Sequence, residues 1–273
     1  MKIGIFDSGL GGLIVTHGLV RALPEYDYLY LGDTARVPYG NRSEETIYRF
    51  TREAVDFLFR EDCALVIVAC NTASAEALRR IQREYLPDHY PDRRVLGVLI
   101  PAAEEAAQVS RSGRIGILAT AGTVASRAYD REIGKLRPDA NVFSEAAPLL
   151  VPLIENDALR YAPPILRDYL EPLLAAEIDT LVLGCTHYPY LRSEIRAIVG
   201  DSIALVSQDE IIPSKLVGYL ARHPEIDARL SKNSARRFFL TDIAPSTSAV
   251  ATTLFGEPVP FERTLLSMDS GIQ

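Results

Sequence analysis

One strand-like segment occurs twice in this chain, each time ahead of a cysteine. Residues 3–8 read Ile-Gly-Ile-Phe-Asp-Ser, and residues 115–120 read Ile-Gly-Ile-Leu-Ala-Thr. Cys70 follows the first copy at nearly the same interval as Cys185 follows the second, and similar apolar runs, Leu-Val-Ile-Val-Ala and Leu-Val-Leu-Gly, lead into the two cysteines. An Ile-Gly-Ile segment is common in buried strands, so its repetition alone would mean little. Here both the segment and the apolar run before the cysteine recur at nearly equal spacing, which indicates two structurally similar halves.

The rest of the chain alternates short β-branched runs with longer stretches of helical spacing, a pattern typical of βαβ units around a parallel sheet. We therefore predict an α/β fold made of two similar open parallel-sheet α/β domains. The predicted strands cover residues 2–6, 28–31, 65–69, 95–99, 114–119, 141–145, 180–183, 204–206 and 238–241. The clearest predicted helices cover residues 43–61, with Ser43 as the cap, 72–85, 163–176 and 190–199. The segment after residue 207 has no counterpart in the repeat, so we expect it to pack back onto one of the halves.

Charge and composition limit the partners. The chain carries 29 Lys and Arg against 36 Asp and Glu, a net charge of −7, so a broad surface for nucleic acid or an acidic membrane is not expected. No apolar run approaches the roughly 18 residues of a membrane span, and Asp7 interrupts the stretch where a signal peptide would continue. The three cysteines, an odd number, suit a reducing compartment. We predict a cytoplasmic protein.

Both cysteines of the repeat fall where a predicted strand gives way to a helix. Ligands of open α/β sheets bind beyond the carboxyl ends of the strands, where helix N-termini offer unpaired N–H groups. Asn-Thr-Ala-Ser follows Cys70, and Thr-His-Tyr-Pro follows Cys185. The helix dipole at such a corner favours the thiolate and would bring a thiol pKa toward neutrality. A cysteine here can also be a small packed apolar residue. That is our interpretation of Cys63, at the opposite edge of the sheet.

Two thiols on two facing domains would permit inversion of a carbon centre. If the domains close on each other, one thiolate takes a proton from one face of a substrate carbon and the opposite thiol donates a proton to the other face. The sequence has no Walker motif, its run Gly-Leu-Gly-Gly-Leu-Ile at residues 9–14 lacks the third glycine of a dinucleotide fingerprint, and its histidines are too scattered for a zinc site with the cysteines. We assign no cofactor and no metal.

Four further features could serve such a site, and each has a plain structural alternative. Asp7 ends the first strand and could point into the same crevice or cap a helix. The turn-rich loop at residues 33–41 could be a backbone cradle or a simple connection. His187 could tune Cys185 or hold a carboxylate, although an isolated histidine is more often packed or exposed. Glu155, by spacing alone, is a surface carboxylate.

Several longer stretches together resemble the glutamate racemases. They are residues 4–12, 30–40, 68–75 and 183–189, with a weaker match at 151–155. The resemblance implies a cofactor-independent racemase that interconverts L- and D-glutamate and supplies D-glutamate for peptidoglycan. It also implies two α/β domains with the site between them. We predict that residues 1–95, completed by residues 207–273, form the first domain and that residues 96–206 form the second.

The resemblance also assigns roles to single residues. Cys70 and Cys185 match the two catalytic thiols of the family. The aspartate at Asp7 and the histidine at His187 assist the thiols on their own sides in that family, and the glutamate at Glu155 lies near the second thiol. The substrate-binding positions of the family match Asp7, Ser8, Tyr39, Gly40, Asn71, Thr72, Thr186 and His187. Short hydroxyls, amides and backbone N–H groups suit two carboxylates and an ammonium without a basic surface, in keeping with the acidic net charge.

The chain departs from the family pattern at three places. Many members have a glutamate where Ile100 stands, an aspartate is common where residues 206–208 read Val-Ser-Gln, and a leucine is common where Tyr190 stands. The first two bear on the hinge between domains and on any regulatory pocket rather than on the thiols. Regulation and the oligomeric state, a homodimer included, are left open.

Three alternative functions are considered. A related activity, such as aspartate racemisation, would use the same residues. A solute-binding protein also has two similar α/β lobes, but it needs no thiol at the lobe junction and is expected to carry an export signal. A dithiol redox protein would be favoured by a Cys-x-x-Cys spacing, which the sequence lacks.

Overall fold

The structure is a computed structural model that describes residues 1–266. Its strands are β1 Lys2–Asp7, β2 Tyr28–Gly32, β3 Cys63–Val68, β4 Arg94–Gly97, β5 Arg114–Ala119, β6 Asn141–Ala146, β7 Thr180–Gly184, β8 Ala204–Ser207, β9 Arg236–Leu240 and β10 Phe261–Arg263. Its helices are α1 Gly12–Ala22, α2 Glu44–Arg60, α3 Asn71–Glu76, α4 Leu78–Arg80, α5 Leu86–His89, α6 Leu99–Val109, α7 Ala121–Ala125, α8 Ala128–Leu136, α9 Leu150–Glu155, α10 Ala162–Ala175, α11 Arg192–Val199, α12 Gln208–Arg222, α13 Pro224–Asp227 and α14 Thr247–Phe255. Short 3₁₀ segments occur at Tyr39–Asn41, Leu159–Tyr161 and Tyr188–Leu191, and a π turn occurs at Ile81–Tyr85.

The strands form two parallel sheets. The larger has the order β10-β9-β2-β1-β3-β4, and the smaller has the order β6-β5-β7-β8. Every strand pairing is parallel. The predicted α/β class with two open parallel-sheet domains is therefore confirmed, and each predicted strand has a counterpart. β10 was not predicted, because an edge strand of three residues is too short to show a period in the sequence.

The two sheets repeat one arrangement of strands. β1 lies between β2 and β3 with β4 beyond, as β5 lies between β6 and β7 with β8 beyond. Val68 of β3 pairs with β1, and Leu183 of β7 pairs with β5, each at the position two residues before Cys70 or Cys185. The sequence repeat is thus a repeat of structure, and the two cysteines follow equivalent strands of the two sheets.

The end of the chain rejoins the larger sheet. β9 pairs with β2, and β10 pairs with β9. We retain as a proposal the division into residues 1–95 with 207–273 and residues 96–206, because it follows the strand membership of the two sheets within a few residues. The last part of that first domain, residues 267–273, lies outside the described residues.

One predicted strand ends too late, and one predicted helix is broken in the structure. The strand predicted at 95–99 ends at Gly97, and Leu99 already belongs to α6. The apolar residues on both sides of this boundary are buried, so periodicity could not locate it. The helix predicted at 72–85 breaks at Ala77, whose φ is −114°, into α3 and α4, and the π turn follows.

The helix α2 is fixed on the larger sheet by a cap and an apolar face. Its cap is Ser43, as predicted, whose Oγ accepts a hydrogen bond from the backbone N–H of Thr46 at 3.4 Å. Its buried residues, among them Ile47, Ala54 and Leu58, pack into the same core as β3. Within residues 1–266, no helix has both the length and the apolar character needed to cross a bilayer.

Candidate active site

A cavity of about 250 Å³ opens at the carboxyl ends of β1, β3 and β7. Ser8 follows β1, Cys70 follows β3 and Cys185 follows β7, and all three line the cavity. Both cysteines are buried. The volume is below the roughly 300–1,000 Å³ of pockets for drug-sized ligands, so the cavity suits a compound the size of an amino acid.

The Cys70 thiol stands at the N-terminus of α3. Its Sγ donates to Oγ of Ser8 at 3.3 Å and accepts from the backbone N–H of Ala73 at 3.4 Å. Burial and then the nearby Asp7 raise the pKa of Cys70, the bonds with Ser8 and Ala73 oppose the rise, and the resulting pKa is about 12. The expected near-neutral pKa is wrong for Cys70, because one N–H of a short helix does not offset burial and a neighbouring carboxylate.

Asp7 lies behind the cavity wall rather than on it. Its side chain is fully buried. Oδ2 accepts from the backbone N–H of Gly9 at 3.0 Å, and Oδ1 accepts from the hydroxyl of Thr186 at 3.3 Å. Burial raises the pKa of Asp7, while His187 and the hydrogen bonds from Gly9, Gly12 and Thr186 lower it. This carboxylate therefore holds the turn before α1 and reaches Thr186 of the second domain, but it does not line the crevice.

Cys185, His187 and Glu155 form a connected row in the cavity wall. Nδ1 of His187 lies 3.9 Å from Sγ of Cys185, and Nε2 lies 2.9 Å from Oε1 of Glu155. Burial lowers the pKa of His187, but its contacts with Cys185 and Glu155 outweigh burial and raise it to about 10. The interpretation of Glu155 as a plain surface carboxylate is wrong, because its side chain is only 29% exposed and pairs with this imidazole.

The loop after β2 contributes residues 37–41 to the cavity wall, which favours the backbone cradle over a simple connection. Tyr39 is buried, and its hydroxyl donates to Oδ2 of Asp33 at 2.5 Å. Oδ1 of Asp33 accepts from the hydroxyl of Thr241 at 2.9 Å. The Tyr39 hydroxyl thus helps to hold the loop in place. The backbone of Gly40 borders the cavity.

Thr120 is a cavity residue that the sequence analysis missed. Its Oγ1 lies 2.9 Å from Oγ1 of Thr72 and 3.0 Å from Oγ1 of Thr123. Thr72 follows β3 and Thr120 follows β5, so this contact joins the two domains. The signal was in the repeat, where Thr120 is the counterpart of Ser8. Other lining residues without a sequence signal are Ala121, Ala147, Pro148 and Asn156, whereas Val151 and Pro152 also line the cavity and lie in the weaker family match at residues 151–155.

Cys63 lies apart from this cavity. It begins β3, at the end of the strand opposite Cys70, and it is fully buried. Burial raises its pKa to about 12, as for a cysteine that only packs. Among residues 1–266, no three His, Cys, Asp or Glu side chains are grouped so that they could hold a metal ion.

Comparison with known proteins identifies the family. Residues 3–208 match the Asp/Glu/hydantoin racemase family. A glutamate racemase of Geobacter metallireducens is 41% identical over 93% of this chain and 92% of that protein. The chain belongs to this racemase family. Its members are isomerases.

Solved structures of racemases have the same fold. A glutamate racemase isoform of Bacillus anthracis has a TM-score of 0.88 and 34% identity over 97% of both chains. The Francisella tularensis glutamate racemase in complex with D-glutamate has a TM-score of 0.86 and 30% identity over 98% of both chains. A Picrophilus torridus aspartate racemase, 17% identical with a TM-score of 0.51 over 81% of this chain and 95% of that chain, shares the fold alone. Within the racemase family, the chain groups with the glutamate racemases.

Proposed function

We propose that this protein interconverts L- and D-glutamate by proton transfer between the substrate and two thiols, without a cofactor. The observation that carries the proposal is the position of Cys70 and Cys185. Each follows the equivalent strand of one of the two sheets, and both line one small cavity. Inversion requires two acid–base groups on opposite sides of one carbon. The similarity to glutamate racemases supports glutamate as the substrate.

In each direction one sulfur acts as the base and the other as the acid. The thiolate takes the proton from Cα, so an S–H bond forms while the C–H electron pair stays on the carbon. The thiol on the other face gives its proton to that pair, and the new C–H bond has inverted configuration. Cys70, with its raised pKa, is suited to start as the donor. A protonated His187, 3.9 Å from Sγ of Cys185, is suited to balance a negative sulfur on the other side.

The two carboxylates are assigned assisting roles. Asp7 raises the pKa of Cys70 and so favours its thiol form. Glu155 accepts from Nε2 of His187 and favours the protonated imidazole beside Cys185. Each thiol therefore has its own supporting acid–base partner, and the two sides differ in charge. This difference would let one sulfur start as an acid and the other as a base.

Short polar groups around the cavity are proposed to bind the two carboxylates and the ammonium of glutamate. The proposed substrate-binding residues are Asp7, Ser8, Tyr39, Gly40, Asn71, Thr72, Thr186 and His187. Except for Asp7, all of them line the cavity. Because the chain has a net charge of −7, local hydrogen-bond donors rather than a basic surface must hold the anionic substrate.

We further propose that the product D-glutamate serves peptidoglycan synthesis in the cytoplasm. All three cysteines are unpaired, as expected in a reducing compartment. A bacterial strain that needs external D-glutamate should grow without it when it expresses this chain. It should not grow when it expresses the Cys185→Ala variant. Growth that still needs D-glutamate, with an active enzyme present in the cells, would remove the peptidoglycan role and leave the chemistry intact.

The chemistry is tested by deuterium incorporation. In heavy water, each enantiomer of glutamate should give the other with deuterium at Cα, as followed by mass spectrometry and chiral chromatography. Cys70→Ala and Cys185→Ala should each reduce racemisation by at least about 100-fold, the range that acid–base groups contribute. Cys63→Ala is the matched control and should keep wild-type turnover. Near-normal turnover of either of the first two variants would exclude the two-thiol mechanism.

A panel of amino acids tests the substrate. Glutamate should be inverted at least tenfold faster than aspartate at equal concentration. A preference for aspartate would overturn the proposed substrate.

Tight binding of an amino acid without inversion would indicate a solute-binding protein. A free-thiol count that falls after mild oxidation would indicate a dithiol couple.

A further inference from the structure

Three buried side chains form a closed ring of hydrogen bonds at the edge of the cavity. The hydroxyl of Tyr129 donates to Oδ1 of Asn71 at 2.7 Å, and Nε2 of Gln208 donates to the same oxygen at 3.0 Å. Nε2 of Gln208 also donates to the hydroxyl of Tyr129 at 3.2 Å. Asn71 and Tyr129 are each 2% exposed and Gln208 is 0% exposed. Of the three, only Asn71 lines the cavity.

The ring joins three separate parts of the molecule. Asn71 begins α3, which follows the strand of the larger sheet that ends before Cys70. Tyr129 lies in α8, which follows β5 of the smaller sheet. Gln208 begins α12, where the chain leaves β8 and returns to the larger sheet. The side chain of Asn71 is therefore held by residues from the second domain and from the return segment.

The ring leaves one group of Asn71 for a ligand. Both bonds to its amide go to Oδ1, and Nδ2 is buried with no hydrogen-bond partner among the described residues. A buried amide nitrogen without a partner is costly. An acidic amino acid in the cavity would offer it a carboxylate oxygen, and a bond of that kind to a charged group is among the stronger ones.

The same ring would also close with every bond reversed. Nδ2 of Asn71 would then donate to Tyr129 and to the amide oxygen of Gln208, and the hydroxyl of Tyr129 would donate to that oxygen as well. In that arrangement Oδ1 of Asn71 would be the atom left for the ligand, and it would repel a carboxylate. The orientations of the Gln208 and Asn71 amides are therefore coupled. In the structure Gln208 turns Nε2 into the ring and its Oε1 has no hydrogen-bond partner among the described residues, so Asn71 presents its donor.

We propose that Gln208, acting with Tyr129, is a positioning residue that fixes the Asn71 amide so that its NH₂ group donates to a carboxylate of the bound amino acid. This rests on the proposed function, because it takes an acidic amino acid as the ligand. It also gives a role to a place where the sequence departs from the family, the Val-Ser-Gln run at residues 206–208. The departure acts on substrate orientation, and Gln208 itself does not touch the substrate.

Two substitutions of similar size separate this role from simple packing. Gln208→Glu introduces a carboxyl group that only accepts once it is ionised, so at a pH where it is ionised it should turn the Asn71 amide over and present Oδ1 to the substrate. We expect the KM for glutamate to rise at least about tenfold, the effect of losing a bond to a charged group, with kcat changed less than about threefold. Gln208→Met removes the bonds of position 208 without reversing them, and the Tyr129 hydroxyl can then pair with either end of the Asn71 amide. Its KM should rise only a few-fold.

A direct measurement keeps the proposal falsifiable if either variant is unstable. In protein labelled with ¹⁵N asparagine, the side-chain signal that disappears in Asn71→Asp belongs to Asn71. Glutamate should shift that signal in the wild type and in Tyr129→Phe, where Gln208 still donates to Oδ1. The shift should be absent or much smaller in Gln208→Glu.

The outcomes distinguish this inference from the proposed function. If the wild type racemises glutamate but its Asn71 signal does not respond, the positioning role is wrong and the function stands. The role is also wrong if Gln208→Met raises KM as much as Gln208→Glu, because packing alone would then explain both. If the wild type neither binds nor racemises glutamate, the proposed function fails, whatever the ring does.

Discussion

The hydroxyl of Thr186 donates to the carboxylate of Asp7 at 3.3 Å, although the two residues belong to different domains. Both are buried. Thr186 directly follows Cys185, and Asp7 is the carboxylate that raises the pKa of Cys70. The bond therefore links the surroundings of the two thiols. The two halves of the site are thus connected behind the cavity as well as across it.

Asp7 should weaken the fold at neutral pH while it supports activity. Burial raises its pKa, so the folded protein disfavours the ionised form. The stability that Asp7 contributes is fully present below about pH 3.8 and is lost as the pH rises through the folded pKa. Asp7→Asn should therefore gain free energy of unfolding relative to wild type between pH 5 and 8, as measured by urea unfolding. Its kcat should fall at least about tenfold.

Asp27 is the matched control for Asp7, because its pKa is shifted in the opposite direction. It is also buried, but it accepts from the backbone N–H groups of Asn233 and Ala235, and its pKa is lowered to about 2. Burial raises that pKa, and the hydrogen bonds together outweigh it. The stability contributed by Asp27 is present above about pH 4 and is lost as the pH falls through about 2. Asp27→Asn should cost about 1–3 kcal/mol at pH 7 with unchanged kcat. Equal effects of the two variants would contradict this assignment.

Glu155 should control the protonation of His187. Because Glu155 helps to raise the pKa of His187 to about 10, Glu155→Gln should lower that pKa by about one unit or more. A ring-proton NMR titration would measure the change. Glu225→Gln, which alters the partner of the half-buried His223, is the control and should leave the pKa of His187 unchanged.

The raised pKa of His187 also makes the free energy of unfolding depend on pH. The folded pKa of His187 lies above the value of 6.5 for a free histidine, so its stabilisation is complete below pH 6.5 and is lost as the pH rises through about 10. Urea unfolding of the wild type should therefore show falling stability between pH 7 and 9.5, and His187→Asn should show a flatter profile. A steeper profile for the variant would mean that His187 is neutral in the folded protein.

The positions of Cys70 and Cys185 were predictable because a repeat places equivalent residues at equivalent strand ends. Parallel strands of one sheet end at the same edge, so a cysteine after β3 and another after β7 had to lie at ligand-binding edges. Thr120 could have been found by the same argument, since it matches Ser8. A role for His187 beside Cys185 was one of two interpretations of its position in the sequence, whereas the role of Glu155 came only from the family resemblance.

Contacts between the domains could not be read from the sequence. Thr186 meets Asp7, and Gln208 meets Asn71, only after the second domain has folded against the first, and no local pattern encodes that packing. The pKa of Cys70 was mispredicted for a related reason. The helix start is visible in the sequence, but the burial and the neighbouring carboxylate that outweigh it arise from the tertiary structure.

Gly11 is expected to be needed for close approach of the domains. Its φ of −59° is open to any residue, so the requirement is space. A methyl group there would overlap Nδ1 of His187 and lie 2.5 Å from Oγ1 of Thr186. Gly11→Ala should reduce kcat/KM by about 100-fold through displaced catalytic groups. Gly134→Ala, in α8 with nothing within 4 Å of the new methyl, should keep activity and add about 0.5–1 kcal/mol of stability. Wild-type kinetics for Gly11→Ala would show that the domains close without this contact.

The protonated state of the Cys70 thiol gives a last prediction. With a pKa of about 12, the thiolate fraction is small at neutral pH and should rise tenfold per pH unit, so the rate of Cys70 alkylation by iodoacetamide should rise in the same way from pH 7 to 10. Peptide mass spectrometry in a Cys63→Ala background would follow Cys70 and Cys185 separately. Asp7→Asn should speed Cys70 alkylation severalfold at pH 8, because it removes the negative charge that raises the pKa. A rate that is already constant between pH 7 and 8 would mean that Cys70 rests as a thiolate, and the assignment of Cys70 as the first proton donor would then be wrong.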